Sequence, residues 1–106
     1  MILLCSPDAL AEGQSRSFDI DDLALFAVRK NGKVHAYLNR CPHRATRLEW
    51  EEDRFLDDSG NLLRCAHHGA LFLIDSGECI QGPCFGDVLE MLECREDERG
   101  IWVEHP

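Results

Sequence analysis

Two short segments of the sequence combine cysteine with histidine at the spacing of metal ligands. The first is Cys41-Pro42-His43, and the second is Cys65-Ala66-His67-His68-Gly69, with 21 residues between His43 and Cys65. Thiolates are soft anionic ligands that suit iron or zinc, and neutral imidazoles add nitrogen donors. The pattern C-x-H followed by C-x-x-H therefore predicts one inorganic centre held between two loops. Because two Cys and two His also form a tetrahedral zinc site, these ligand types leave zinc and iron–sulfur both open.

The elements that must position these loops are short β-strands. No segment keeps a convincing apolar period of 3.6 residues, and turn residues interrupt short runs that favour β structure. Asn31-Gly32 is a strong hairpin signal because both residues accept positive φ. Strands are predicted over residues 2–5 and 15–19, and four hairpins over 23–29 with 34–38, 54–56 with 62–64, 71–74 with 78–80, and 89–94 with 101–104.

Four hairpins in 106 residues predict an all-β fold, an antiparallel barrel or sandwich. Each cysteine–histidine segment follows the second strand of a hairpin, so both loops are expected where strands end. Residues 87–93 have an alternative interpretation as a helical turn. The length allows one domain, residues 1–106.

On these residues the sequence resembles the Rieske family, from about Leu23 to Val103. Cys41-Pro42-His43-Arg44 is similar to the family's first ligand segment, and residues 65–72 are similar to the second. Residues 75–79, followed by Gly82-Pro83, are similar to the turn and proline loop that cover the cluster in that family.

The resemblance implies a [2Fe–2S] cluster rather than zinc, with Cys41 and Cys65 on one iron and His43 and His68 on the other. The family's C-x-x-H spacing selects His68 as the ligand, and His67 is interpreted as a loop residue beside the site. The implied fold is the antiparallel Rieske β-barrel or sandwich of the iron–sulfur-protein type, with a small cluster-binding subdomain. The cluster-binding loops are expected at about residues 40–48 and 64–85.

The same resemblance predicts a low reduction potential. High-potential respiratory members place Ser and Tyr hydroxyls where this chain has Ala70 and Phe72, and a disulfide pair where it has Thr46 and His67. Loss of those hydroxyls implies the ferredoxin-like branch, with a potential on the order of −150 mV. Cations beside the first segment oppose this effect by favouring the reduced cluster; they are Arg40, Arg44 and Arg47.

Composition excludes several classes of protein. Eleven basic residues against 20 acidic ones give a formal charge of −9, which argues against binding to nucleic acid or anionic lipid. No apolar run reaches the roughly 18 residues of a membrane span, and the N-terminus lacks the features of a signal peptide. We therefore expect a soluble, cytoplasmic protein with no membrane or nucleic-acid partner.

The resulting functional hypothesis is a one-electron carrier between a reductase and an oxygenase or another acceptor. The sequence has no second metal site of the two-His-one-carboxylate type and no G-x-G-x-x-G motif, so it is not a complete oxygenase or reductase. Two alternatives remain open. One is a small Rieske subunit of a larger oxidoreductase, such as nitrite reductase, and the other is a zinc-stabilised interaction module.

The remaining polar and thiol side chains have simpler interpretations. Buried small hydrophobic roles are expected for Cys5, Cys79, Cys84 and Cys94. The distance between Cys79 and Cys84 in the sequence allows a disulfide, but none is expected in the cytosol. His35, His105, Trp50 and Trp102 are expected to be structural or solvated. The acidic residues Glu49, Glu51, Glu52, Asp53, Asp57 and Asp58 are expected to form a solvated face. Whether that face or Arg40, Arg44 and Arg47 docks a partner stays open.

Overall fold

A computed structural model describes residues 1–42, 46–49, 51–66 and 69–105. Within those ranges the secondary structure consists of β-strands and one 3-10 helix, Pro7–Ala9, with no helix long and apolar enough to cross a membrane. The strands are β1 Ile2–Cys5, β2 Ser15–Ile20, β3 Leu23–Lys30, β4 Lys33–Leu38, β5 Leu62–Arg64, β6 Leu71–Leu73, β7 Cys79–Gln81, β8 Met91–Leu92, β9 Cys94–Glu96 and β10 Ile101–Val103.

The strands form three antiparallel sheets. Their orders are β1-β10-β9, β2-β3-β4-β8 and β5-β6-β7. The prediction of an all-β antiparallel fold is therefore confirmed. The small β5-β6-β7 sheet pairs with neither of the other two sheets, and its strand β5 leads directly into the second cysteine–histidine segment.

Strand β3 separates two hydrophobic cores. Successive side chains of a strand point to opposite faces, and four consecutive residues of β3 are buried. Leu25 and Ala27 belong to one core, which also contains Leu10, Val34, Ala36, Leu92, Ile101 and Val103 and which we call the distal core. Phe26 and Val28 belong to the loop-side core, with Tyr37, Leu48, Phe55, Leu63, Ala70, Phe72, Ile74, Leu89 and four cysteines. The four-stranded sheet is thus the middle layer of the molecule.

Two-residue turns join the first strands of this sheet. Asn31 and Gly32 have φ values of 54° and 77° between the paired residues Lys30 and Lys33, which confirms the first predicted hairpin. A second such turn, at Asp21-Asp22, joins β2 to β3 with φ values of 48° and 65°. This hairpin was not predicted, although aspartate tolerates positive φ and marks turns.

The second predicted hairpin is wrong in its first strand. The predicted pairing is present, since Leu56 forms an antiparallel bridge to Leu63 and the Arg64 N–H donates to the Phe55 carbonyl at 2.8 Å. Residues 54–56 are nevertheless too short a pairing to form a strand, and the sheet partner of β5 is β6. The Asp57 carboxylate accepts hydrogen bonds from Ser59 Oγ and the Leu62 N–H, so local polar contacts shape this segment as a loop. The third predicted hairpin is confirmed, since β6 pairs with β7 through Phe72 and Cys79.

The fourth predicted hairpin is correct in its pairing and wrong in its first strand. The single strand expected over residues 89–94 is divided into β8, which pairs with β4, and β9, which pairs with β10. The chain passes from the middle sheet to the outer sheet at Glu93, whose carbonyl accepts the Glu104 N–H at 2.9 Å. The alternative of a helical turn over 87–93 is also wrong.

Candidate metal centre

Cys41 and Cys65 lie together in the loop-side core although different sheets present them. Cys41 follows β4 of the middle sheet, and Cys65 comes directly after β5 of the small sheet. Both side chains are buried, with 1% and 0% of their surface exposed. The other two predicted ligands, His43 and His68, lie outside the described residues, as does His67.

The buried side chain of Asn39 closes the first ligand loop. Its Oδ1 accepts the Leu48 N–H at 2.9 Å, and its Nδ2 donates to both carboxylate oxygens of Glu49 at 2.9 and 2.8 Å. Inside this closure, the Cys41 N–H donates to the Thr46 carbonyl at 2.7 Å. Burial raises the pKa of Glu49, and the hydrogen bond from Asn39 opposes that shift. Asn39 was not predicted from the sequence, because its only signal is a polar residue directly after a strand.

The second ligand loop is closed by its own backbone. The Cys65 N–H donates to the Ala70 carbonyl and the Gly69 N–H donates to the Cys65 carbonyl, both at 2.9 Å. Gly69 adopts a φ of 69°, which suits glycine in so tight a turn. The Ala66 N–H donates to the Leu48 carbonyl at 2.8 Å. This last bond joins the two ligand loops directly.

A third loop packs against the second. Gly82 lies so near Ala70 that an added Cβ would be 2.8 Å from the Ala70 Cα atom, and its φ is 104°. Two residues further on, Cys84 is buried in the loop-side core with Cys41, Cys65 and Cys79. Residues 82–87, which we call the covering loop, therefore pack against the second ligand loop and bury Cys84 in the same core as both ligand cysteines.

Among the described residues, the available donors are the thiols of Cys41 and Cys65, which fit an iron–sulfur cluster and zinc equally. Two buried thiols on joined loops provide the sulfur half of such a site. Across the described ranges, no group of three or more His, Cys, Asp or Glu residues is arranged to hold a metal ion. The nitrogen donors of the predicted set lie in the gaps at 43–45 and 67–68.

The side chains predicted to tune the potential are placed as follows. Ala70 and Phe72 are fully buried in the loop-side core, so no hydroxyl stands at either position. Arg47 Nη2 lies 2.8 Å from Asp19 Oδ1, which partly neutralises its charge. Arg40 is exposed, and Arg44 lies outside the described residues.

The expectation of a solvated acidic face is only partly right. Asp53 accepts hydrogen bonds from the backbone and hydroxyl of Ser17, Glu49 binds Asn39, and Asp57 shapes its own loop. These carboxylates hold loops in place, because each accepts hydrogen bonds that fix the chain around it. Glu52 and Asp58 are exposed as predicted.

The other predicted residues are the remaining cysteines and a set of histidine and tryptophan side chains. Cys79 and Cys84 are buried as expected, whereas Cys5 and Cys94 are only half-buried at the distal core, which corrects their prediction. The half-buried His35 lies on β4 with Nε2 3.9 Å from Asp75 Oδ1. Trp102 lies on β10 and donates to Asp97, His105 is exposed, and Trp50 is outside the described residues.

Comparison with known proteins gives two informative relatives. The chain is 39% identical over 80 residues to oxidoreductase NdmD of Pseudomonas putida, a match that covers 69% of this chain and 13% of that protein. It is 30% identical over 77 residues to the ferredoxin component of the alkene monooxygenase system of Xanthobacter autotrophicus (strain ATCC BAA-1158 / Py2), covering 73% of this chain and 60% of that relative. The chain thus spans less than two thirds of the length of either protein.

The fold has a similar solved structure. The ferredoxin of carbazole 1,9a-dioxygenase from Nocardioides aromaticivorans IC177 superposes with a TM-score of 0.78 at 22% identity, over 96% of this chain and 94% of that one. Residues 1–93 match the family described as the Rieske [2Fe-2S] domain. Since this match spans most of the chain and includes both cysteine loops, the chain belongs to the Rieske [2Fe-2S] domain family, and its cofactor is a [2Fe–2S] cluster.

Proposed function

We propose that the protein is an electron carrier, a Rieske-type ferredoxin that takes one electron from a reductase and passes it to an oxygenase or another acceptor. The observation that carries this proposal is the joining of the two ligand loops. Cys41 and Cys65 are buried in one core, and the Ala66 N–H to Leu48 carbonyl bond holds their loops together. When bound there, a [2Fe–2S] cluster supplies one-electron redox chemistry.

The proposed ligands are Cys41 and Cys65 on one iron and His43 and His68 on the other, as in Rieske centres generally. The proposed domain is residues 1–106, with cluster-binding loops at about 40–48 and 64–85. The closure of the first loop by Asn39, and of the second by Cys65 and Ala70, supports these loop positions.

Described residues of both ligand loops exclude water from the two cysteines and join the loops to each other. The loop-side core leaves 1% or less of Cys41 and Cys65 exposed, so water is kept from both sulfur atoms. Backbone bonds within and between the loops resist their movement. A site that changes little in shape suits an electron carrier, because little reorganisation accompanies the change of charge.

Exposed apolar side chains within the covering loop and next to it support contact with a partner protein. Phe85 in this loop is 74% exposed, and Val88, just after the loop, is 55% exposed. Cys84, next to Phe85, is buried. Exposed apolar surface of this kind is typical of protein contact sites. The relative named as a ferredoxin component of a monooxygenase system supports an oxygenase as the acceptor. The charge of −9 supports a protein partner over nucleic acid.

A cytoplasmic location is part of the proposal. Cell fractionation tests this location, and recovery of the native protein from the cell envelope would contradict it.

A Rieske subunit of a larger oxidoreductase is the second candidate. It is favoured by the match to oxidoreductase NdmD, in which the aligned segment is 13% of a much longer protein. Purification of the native protein distinguishes the two. A carrier elutes without a larger chain, whereas a subunit co-elutes in constant proportion with one.

Anaerobic purification followed by spectroscopy tests the function. We expect a coloured protein with two irons per chain that takes up one electron, and an electron paramagnetic resonance spectrum of mixed Cys and His ligation. His68→Ala should abolish the cluster, whereas His67→Ala, the matched change one residue earlier, should retain it. Colourless, iron-free protein that is well folded would overturn the proposal. The reverse result for the two histidines would move the ligand to His67.

A further inference from the structure

Two cysteines outside the proposed ligand set have their sulfur atoms in contact at the covering loop. Cys79 Sγ and Cys84 Sγ lie 2.9 Å apart, and each residue is 1% exposed. Both are thiols in this structure. A disulfide bond is about 2.04 Å long, so closing the bond requires the two sulfurs to approach by only about 0.9 Å.

The backbone holds these cysteines at this separation. The Cys79 N–H donates to the Asp87 carbonyl at 2.9 Å, and the Asp87 N–H donates to the Cys84 carbonyl at 2.8 Å. The Gly86 N–H completes the frame by donating to the Cys79 carbonyl at 3.4 Å. Asp87 thus bonds to both cysteine residues. These bonds hold the main chains of the two residues close together, and the side-chain rotamers of Cys79 and Cys84 complete the sulfur contact.

We propose that Cys79 and Cys84 form a reversible disulfide site that reacts with small-molecule disulfides such as oxidised glutathione. In the reaction, one thiolate attacks the small disulfide and releases one glutathione, and the second cysteine then displaces the other. The S–S bond of the small molecule breaks and the Cys79–Cys84 bond forms. Two electrons leave the protein thiols, and their two protons end on two released glutathione thiols.

The position of the pair allows both protection and reaction. Cys84 is buried, but its neighbours Pro83, Phe85 and Gly86 are exposed, so a local opening of this surface loop uncovers the sulfur. In a reducing compartment the pair stays as thiols, and disulfides that do form there are mostly redox-sensing. This proposal adds a redox role to the buried, small hydrophobic role that was expected for the two cysteines.

Oxidation at this pair would act on the covering loop. Cys84 shares the loop-side core with Cys41, and Gly82 in the same loop packs on Ala70 of the second ligand loop. A covalent link at Cys84 therefore restrains the segment that lies over the proposed cluster. The pair itself forms whichever histidine completes the metal site.

Peptide mapping of the anaerobically purified holoprotein tests the proposal. Cleavage after glutamate releases residues 79–90, which contain these two cysteines and no other. After incubation with oxidised glutathione and alkylation, we expect this peptide to carry no alkyl group and to be lighter by two hydrogen atoms than the unmodified peptide. Dithiothreitol should restore both alkylation sites.

Two variants sharpen the test. Cys84→Ser should show one remaining thiol, alkylated or glutathionylated, and no internal disulfide, whereas Cys94→Ser should oxidise at 79–90 like the parent protein. A 79–90 peptide that stays doubly alkylated in folded protein, or a disulfide from either cysteine to another position, would overturn the proposal. Iron content is measured on the same samples, so absence of the cluster is read separately from absence of the disulfide.

Discussion

Gly82 and Ala70 are in direct backbone contact, so close that a Cβ on Gly82 would lie 2.8 Å from the Ala70 Cα atom. Ala70 closes the second ligand loop by accepting the Cys65 N–H. The covering loop is therefore seated on the turn that carries a proposed cluster ligand. Glycine is required there twice, for its positive φ of 104° and for the absence of a side chain.

Gly82→Ala should loosen this contact. The added methyl group must displace backbone atoms, so we expect a loss of about 1–3 kcal/mol in the free energy of unfolding and faster release of the cluster. Urea unfolding and the decay of visible absorbance measure the two effects. Gly86→Ala is the matched control, since Gly86 has a φ of 94° but no atom within 4 Å of the added Cβ. Equal effects of the two substitutions would show that backbone strain, and not the contact, is responsible.

Asn39→Ala should destabilise the first ligand loop. The substitution leaves the buried Leu48 N–H without its acceptor, at a cost of about 1–3 kcal/mol. Because the Leu48 carbonyl also binds the Ala66 N–H, cluster retention should fall as well. Urea unfolding of the holoprotein measures the first effect and iron content the second. Asn61→Ala, at an exposed loop position, should change stability by no more than about 0.5 kcal/mol; similar costs at both asparagines would contradict the assigned role.

Deprotonation of Tyr37 should lower the free energy of unfolding at high pH. Its hydroxyl donates to the Ile74 carbonyl at 2.5 Å, and burial, with a smaller effect of the Asp75 charge, raises the pKa of Tyr37 from 10 to about 12. The folded state therefore holds the proton more tightly than the unfolded state. This contribution is complete below pH 10 and is lost as the pH rises towards 12.

Tyr37→Phe separates this effect from others. The variant should lose about 1–2 kcal/mol at neutral pH, because the Ile74 carbonyl loses its donor. Between pH 10 and 12 its stability should decline less than that of the parent protein. Urea unfolding at several pH values measures the free energy of unfolding of both proteins. If it declines equally in the two, the loss at alkaline pH belongs to other groups.

Ala70→Ser should raise the reduction potential. Ala70 and Phe72 are buried and carry no hydroxyl, so we expect a potential on the order of −150 mV. A hydrogen bond to the cluster that is stronger by about 1.4 kcal/mol in the reduced state corresponds to a rise of about 59 mV for one electron. Protein-film voltammetry measures it. Ala27→Ser places the same hydroxyl in the distal core and should leave the potential unchanged. A parent potential above about +100 mV would refute the role given to these positions.

Local signals in the sequence were sufficient to predict the turns and strands that depend only on adjacent residues. The Asn31-Gly32 turn forms as predicted because two adjacent residues adopt positive φ, whatever surrounds them. The alternation of apolar residues places Phe26 and Val28 opposite Leu25 and Ala27, which is a property of any strand. The family was also identified from sequence, because its ligand segments are short and contiguous.

The tertiary structure alone decided which distant segments meet. The sequence predicts one strand over residues 89–94, but β8 and β9 belong to different sheets. Leu92 packs in the distal core beside β4, whereas Cys94 pairs with Val103. The sulfur contact between Cys79 and Cys84 likewise depends on the bonds that Asp87 makes.

By itself, then, the sequence determined the all-β class and the first and third hairpins. The ligand roles of Cys41 and Cys65 stay predictions, although both residues are buried in one core. His43 and His68 stay predictions, since they lie outside the described residues. Only the folded chain showed that Asn39 closes the first loop by bonding to Leu48 and Glu49. The physical reason is that turn and strand preferences act between neighbouring residues, whereas loop closure and sheet exchange depend on packing and hydrogen bonds between residues that the chain separates.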